Sequence, residues 1–549
     1  MQGVEYYGDY SIKNRTSRQL ALSHERVNLL KGLKQTVKCY EDIEEKHCTD
    51  WFNSKAESGE LTDGIFASVP ECHDPAFFRF TGGEARTVFY DLGSVCAVSG
   101  FRIGVLRQNG VGIFQPSRVW LFLSDDGENW QTAGSVVGFE TWGKDEVTRL
   151  SAEFSPTAAR YAKFTFNVPI HVWIDQIELF GCTEPSGAAK IVPDRRDEED
   201  FPRRFASTAQ LGAKDVMLAY MCRQDIPPIS KEMLLPYVGY IEDGTVKDTM
   251  FDSFLFLPHV WYLYDYSSGY GRKKPLKKED WQYYMDVQFS KGANLDALDK
   301  AAEEIGAALG KPDLRLTVFL SILYPVAEVK DFGVINGKNL DFSNTGDRFT
   351  ALEWLIDEQY RRFNANNYKH LSLLGFYWFT EEISYLDAPL MELLRRTTDH
   401  VRDDLGLITT WIPYYHACGY NDWRELGFDV GCYQPNYAFN QSVPDKRLFE
   451  AAKTAKLFGM CIELEMGGTN EWNIERMKKY YAAGAITGYM KDAAHMYYQG
   501  SMPGEFYRAY ESKDPYLHSV YKDTYDFIKG TFDPSRVAFD GEEKEKNDA

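Results

Sequence analysis

Between residues 27 and 182 the chain alternates apolar and polar positions in short runs. Thr87–Leu92, Val119–Leu123, Tyr161–Phe166 and Gln176–Phe180 are the clearest, and turn signals such as Asp63-Gly64 and Asp126-Gly127 separate them. A period of two predicts half-buried strands, hence an all-β unit. From about residue 210 the texture changes. Apolar β-rich runs at 215–222, 251–258, 314–323, 371–379, 405–413, 428–433, 458–465 and 487–491 alternate with amphipathic stretches. Those stretches are Leu295–Leu309, Ala351–Asn364, Ala388–Leu405, Asp445–Leu457 and Trp472–Ala483, and their spacing suits helices. Eight β segments with intervening helices predict a (β/α)8 TIM barrel. A doubly wound open sheet competes, but no Gly-rich phosphate loop follows the first strand. Residues 183–209 are rich in proline and charge and predict a linker; 536–549 form a charged tail, and 1–26 carry no readable element. The expectation is multidomain: a β-sandwich over 27–182 and a barrel over 210–535.

With 549 residues the chain is too long for one core. Its net charge of −20 argues against nucleic acid and against anionic membranes as partners. No run approaches the about 18 apolar residues of a membrane span. The first residues, MQGVEYYGDY, lack a basic and apolar leader, so a polysaccharide-handling protein is expected outside the cytoplasm with its leader already removed, and a cytoplasmic location is the alternative. Nine cysteines show no zinc spacing; Cys222, Cys432 and Cys461 read as small core residues, and a disulfide among the five N-terminal ones is open. No metal site is expected in the barrel.

Two runs end in glutamates. Gly375–Tyr385 reads GFYWFTEEISY and Gly459–Gly468 reads GMCIELEMGG. Burying an unpaired carboxylate is costly, so acids at the mouths of apolar strands point to function. In barrel order these are strands four and seven, whose C-terminal ends share one mouth. Glu463 and Glu465, two apart, face the same way; of Glu381 and Glu382 at most one faces the axis. Two carboxyl groups across a cleft are the requirement for cleaving a glycosidic bond. The expected roles are Glu381 as general acid/base and Glu465, or Glu463, as nucleophile or base, with Glu382 as a further candidate. Substrate-binding candidates are Trp378, Trp411, Tyr414, Tyr415, Tyr433, Gln434, Asn436 and Tyr437 from strands four to six. His259 and Trp261 join them from strand two, and Lys491 and Asp492 from strand eight. A strand-six tyrosine is expected to orient the nucleophile and Lys491 to pair with Glu463. A non-catalytic glycan-binding protein with a degenerate barrel is the alternative.

The N-terminal unit resembles the discoidin, or coagulation factor 5/8 type C, family. The matching features are Asn28-Leu29-Leu30, Leu61–Gly64, VFYDLG at Val88–Gly93, Gly112–Pro116, VWLFLSDDGENW at Val119–Trp130, Ala159–Phe164 and WIDQIELFG at Trp173–Gly181. The resemblance implies a galactose-binding-like jelly roll, glycan contacts through end loops (Arg107, Asn109 and Trp142 are candidates), and in some members a structural calcium near the DG turn. No other cofactor is implied. The acids of strands four and seven resemble the arrangement of the large retaining glycosidase clan. The whole chain, with GFYW, WIPYY, QPNY and IELE in this order, resembles the bacterial family called domain of unknown function 4855, over roughly residues 27–530.

Overall fold

A computed structural model describes residues 26–39, 57–81, 86–108, 111–116, 118–137, 145–166, 168, 171–194, 202–221, 227–258, 270–271, 274–383, 388–415, 417, 419–424 and 426–539. The chain divides into two compact units, Met1–Phe201 with Ser384–Glu392, and Pro202–Ile383 with Leu393–Ala549.

The first unit is built from strands β1 (Val27–Asn28), β2 (Gln35–Cys39), β3 (Glu57–Ser58), β4 (Phe78–Thr81), β5 (Arg86–Arg107), β6 (Arg118–Ser124), β7 (Gln131–Val137), β8 (Glu146–Phe166) and β9 (His171–Cys182). The order is β1-β9-β5-β8-β6-β7, with β2 on β5 and β4 on β9. The two long strands each serve two layers. The first part of β5, Arg86–Asp91, pairs β2 and the end of β8, whereas Ala97–Arg107 pairs β9 and the start of β8. The register breaks between Asp91 and Cys96, where Gly93 has φ +78°, and the strand turns its corner there. Between the layers lies one core holding Val88, Ile103, Leu121, Phe164 and Leu179. The four short runs read from sequence lie inside β5, β6, β8 and β9; their true length is hidden because the bend shifts which side faces the core. Cys72 and Cys96 carry free thiols.

The second unit contains a closed barrel of eight parallel strands. In order these are Asp215–Met221, Ser253–Pro258, Leu316–Ile322, Leu371–Trp378, Ile408–Trp411, Val430–Tyr433, Cys461–Glu465 and His495–Tyr498. Helices follow most of them, among them Lys231–Val238, Leu295–Ala308, Thr345–Asn366, Lys446–Phe458 and Glu471–Thr487; among the described residues strand five is followed only by a 3-10 turn, Tyr420–Asp422. Gly375 lets strands four and five close up, since a Cβ there would lie 2.0 Å from Ile408 O. Strand eight corrects the reading at 487–491. Those residues end one helix and enter the short helix Tyr489–Asp492, with Gly488 at φ +96° between them. Their apolar character comes from a helix face packed on the barrel, not from a strand. No helix among the described residues is long and apolar enough to cross a membrane.

The segments flanking residues 195–201 are anchored. Ala189 and Asp194 hydrogen-bond the first unit, and Arg203 and Ala206 the second.

Candidate functional site

At the C-terminal ends of the barrel strands a cavity of about 400 Å³ is lined by Leu218, Tyr220, Tyr377, Glu381, Ile412, Tyr414, Gln434, Asn436, Phe439, Glu463, Glu465 and Tyr498. The alternation of each strand selects them. On strand seven Cys461, Glu463 and Glu465 share the inner face, and on strand six Cys432 is followed at the same parity by Gln434 and Asn436. Glu381 enters from just past strand four.

The three carboxyls are not equivalent. Glu465 is 1% exposed and is held by three donors: the Tyr480 hydroxyl, the Tyr437 amide at 3.1 Å and the Ala438 amide. Burial pushes it up to about 7, against those donors and with Glu381 adding to the rise. Glu381 is half-buried; burial raises it while a hydrogen bond from Gln434 pulls the other way. Glu463, 2% exposed, is raised well above the carboxylate range by burial, then by Glu465 and Glu381. Among the described residues no donor reaches it and no Lys, Arg or His lines the cavity.

Supporting groups fix the carboxyls. Asn436 at φ +48° turns the chain after strand six so that the amides of Tyr437 and Ala438 meet Glu465. Arg476 secures that turn, donating to the carbonyls of Tyr437, Gln441 and Val443 and covering the Tyr437 ring at 3.8 Å. The Gln434 amide donates to Ile412 O at 3.2 Å as well as to Glu381. The Trp411 indole donates to Thr380 O at 2.7 Å, one residue before Glu381.

Of the predicted residues, Glu381, Glu463, Glu465, Tyr414, Gln434 and Asn436 meet in the cavity. Glu382 is exposed and outside it, as strand parity requires of the neighbour of Glu381. Trp378 and Tyr433 are buried in the packing outside the cavity, and Trp411 stacks on Phe428 at 5.5 Å; these large rings complete the barrel core. Tyr415 lies under Arg447 at 3.7 Å. Tyr437 contributes its backbone, while its hydroxyl bonds Asp445; the phenol that orients Glu465 is Tyr480 from a helix. Lys491 and Asp492 are exposed and precede strand eight, at the barrel end opposite the mouth, so Lys491 does not pair with Glu463. His259 and Trp261 lie outside the described residues, as do Asn109 and Trp142. Arg107 is buried and paired with Glu146 at 2.9 Å, not presented by a loop. Tyr220, Tyr377, Phe439, Tyr480 and Tyr498 were not singled out by sequence reasoning; parity on strands one and four could have found Tyr220 and Tyr377.

At the two turns considered for calcium the oxygens accept hydrogen bonds from within the protein. Asp126 accepts from the amides of Glu128 and Asn129, from Ser124 and from the Asn129 side chain. At Asp63 the Gln176 amide nitrogen occupies the point where Glu60 O, Asp63 Oδ1 and Ile65 O converge. No group of three or more metal-ligating side chains occurs among the described residues.

Comparison with known proteins gives three kinds of result. No curated relative matches the chain. Among solved structures, chitosan-binding module 1 from a Paenibacillus sp. IK-5 chitosanase/glucanase is 15% identical, covers 28% of this chain and 99% of its own, with a TM-score of 0.19. The C-terminal domain of a Bacteroides fragilis chitobiase is 15% identical, covering 29% and 99% at a TM-score of 0.21. A Streptococcus pneumoniae fucose binding module is 14% identical, covering 29% and 99% at 0.21. At such TM-scores the likeness carries nothing about what this chain binds. The family described as Domain of unknown function (DUF4855) matches residues 215–526, more than half of the sequence, and the chain belongs to it.

Proposed function

We propose that the second unit is a (β/α)8 glycoside hydrolase, with Glu381 as general acid/base and Glu465 as nucleophile. The observation that carries this reading is the meeting of these two acids, from strands four and seven, in one cavity otherwise walled by phenols and amides. Its volume suits a sugar ring, and such walls suit stacking and hydroxyl recognition. Glu465, fixed by three donors, is suited to meet an anomeric carbon at a set position. Glu381, with one donor and raised proton affinity, is suited to protonate a glycosidic oxygen. On this proposal the mechanism is retaining, which requires the two carboxyls to lie about 5–5.5 Å apart. In the first step Glu381 gives its proton to the departing oxygen, the C–O bond breaks and Glu465 bonds the anomeric carbon. In the second, Glu381 takes a proton from water, the water oxygen attacks that carbon and Glu465 leaves.

The N-terminal unit, on this proposal, is a discoidin-type jelly roll that binds glycan. Its support is an exposed ring, Phe66 (44% exposed), braced at 4.9 Å by Arg149, which is itself tied to Asp175. A carbohydrate polymer as partner fits a location outside the cytoplasm.

The experiment is release of reducing ends from a polysaccharide panel by wild type, Glu381→Gln and Glu465→Gln. Release should fall about a thousandfold in each variant while binding survives. Undiminished release in both variants sinks the assignment; binding without release by wild type selects the passive glycan-binding barrel.

A further inference from the structure

A two-carboxylate mechanism leaves Glu463 without a task. Its position is nevertheless expensive: an acid 2% exposed, lining the cavity, with no donor reaching it among the described residues. A chain that needed only to fill this volume would do so with leucine or glutamine. The walls beside Glu463 are also informative. Tyr220, Tyr377 and Tyr498 line the same cavity, each within electrostatic reach of Glu463, and the Tyr220 and Tyr498 rings meet edge-on at 5.7 Å. Aromatic faces and carboxylates together, with no basic side chain in the lining among the described residues, form a box for a cation.

We propose that Glu463 is the recognition carboxylate of an amino-sugar subsite, in which the ammonium of a de-N-acetylated hexosamine residue sits against Glu463 and is faced by Tyr220, Tyr377 and Tyr498. The compact ammonium supplies hydrogen donors to Glu463, which none reaches among the described residues, and favours its ionised form. An acetamido group brings no charge, and a uronic acid would add a further acid to the cluster; both are disfavoured. This deepens the glycosidase reading, on which it rests for the cleavage of the bound residue but not for its binding.

The test uses the full chain. Calorimetric titrations near neutral pH compare glucosamine and galactosamine with glucose, galactose and the N-acetylated sugars. At least one amine should bind about tenfold or more tighter than its neutral parent, and Glu463→Gln should bring that ratio to about one. Equal binding of amine and parent by wild type overturns the proposal, and this comparison needs no variant. A ratio that survives Glu463→Gln in a protein with unchanged circular dichroism overturns it too, as does failure of every sugar to bind. Reducing-end release from de-N-acetylated and neutral polymers separates the two readings. Amine-selective binding without release from any polymer refutes the glycosidase and leaves the subsite. Release from neutral polymers with no amine preference does the reverse.

Discussion

Glu465 takes its place from donors on two separate elements, the turn after strand six and the helix Glu471–Thr487. Removing the Tyr480 hydroxyl in Tyr480→Phe takes away a donor that favours the charged carboxyl, so its proton affinity rises further. On the glycosidase proposal the acid limb of the pH–rate profile, placed near 7 by Glu465, should move to higher pH, with kcat/KM down about ten- to a hundredfold. An unmoved limb would show that Tyr480 only packs. The sign for Glu463 is the opposite kind of test. Its folded proton affinity exceeds the unfolded one, so the folded state binds more protons between the two values and stability falls as pH rises through that window. Glu463→Gln removes the penalty: it should melt a few degrees above wild type at alkaline pH, with the difference gone near about pH 4, where both states are protonated. The pairing of Glu463 with Glu465 was legible because parity on a strand is a two-residue rule. Tyr480 was not, because a helix residue reaches the mouth only once the barrel has closed.

At the level of elements, the end of strand four matters more than its length. Trp411 on strand five donates its indole hydrogen to Thr380 O, so the residue before Glu381 is tied to the neighbouring strand. Trp411→Phe keeps most of the packing against Phe428 and deletes that bond. The expected result is a loss of about 1 kcal/mol in stability and a fall in kcat with KM little changed, read by denaturant unfolding and steady-state kinetics. A change confined to stability would make Trp411 a core residue and nothing more. Seven of the eight barrel strands were legible as apolar runs, because parallel strands buried on both faces leave no polar alternation to confuse with a helix. The eighth was misplaced because the last turns of the helix Glu471–Thr487 bury Ala482, Ala483 and Gly484, and a short apolar helix end carries no signal to separate it from a strand. Lys491 and Asp492 followed that error to the wrong end of the barrel.

Across the whole molecule, two cores with different titrating groups should be separable by pH. In the barrel Glu381, Glu463 and Glu465 are raised, and Asp404 and Asp357 raise His400 against the pull of burial. All four hold protons in the folded state that the unfolded chain releases, so barrel stability declines as pH rises through neutrality. In the β-sandwich the counterpart is His171, lowered by burial; there the unfolded state takes up the proton first, and stability declines as pH falls through about 6.5. Calorimetry at about pH 5.5 and about pH 8 should therefore give two transitions that move in opposite directions, since each unit has its own core. Glu463→Gln should flatten the movement of one and leave the other. A single transition, or two that drift the same way, would mean that the carboxyls in the cavity do not carry the proton affinities their burial implies, and the mouth would then have to be rebuilt around paired charges.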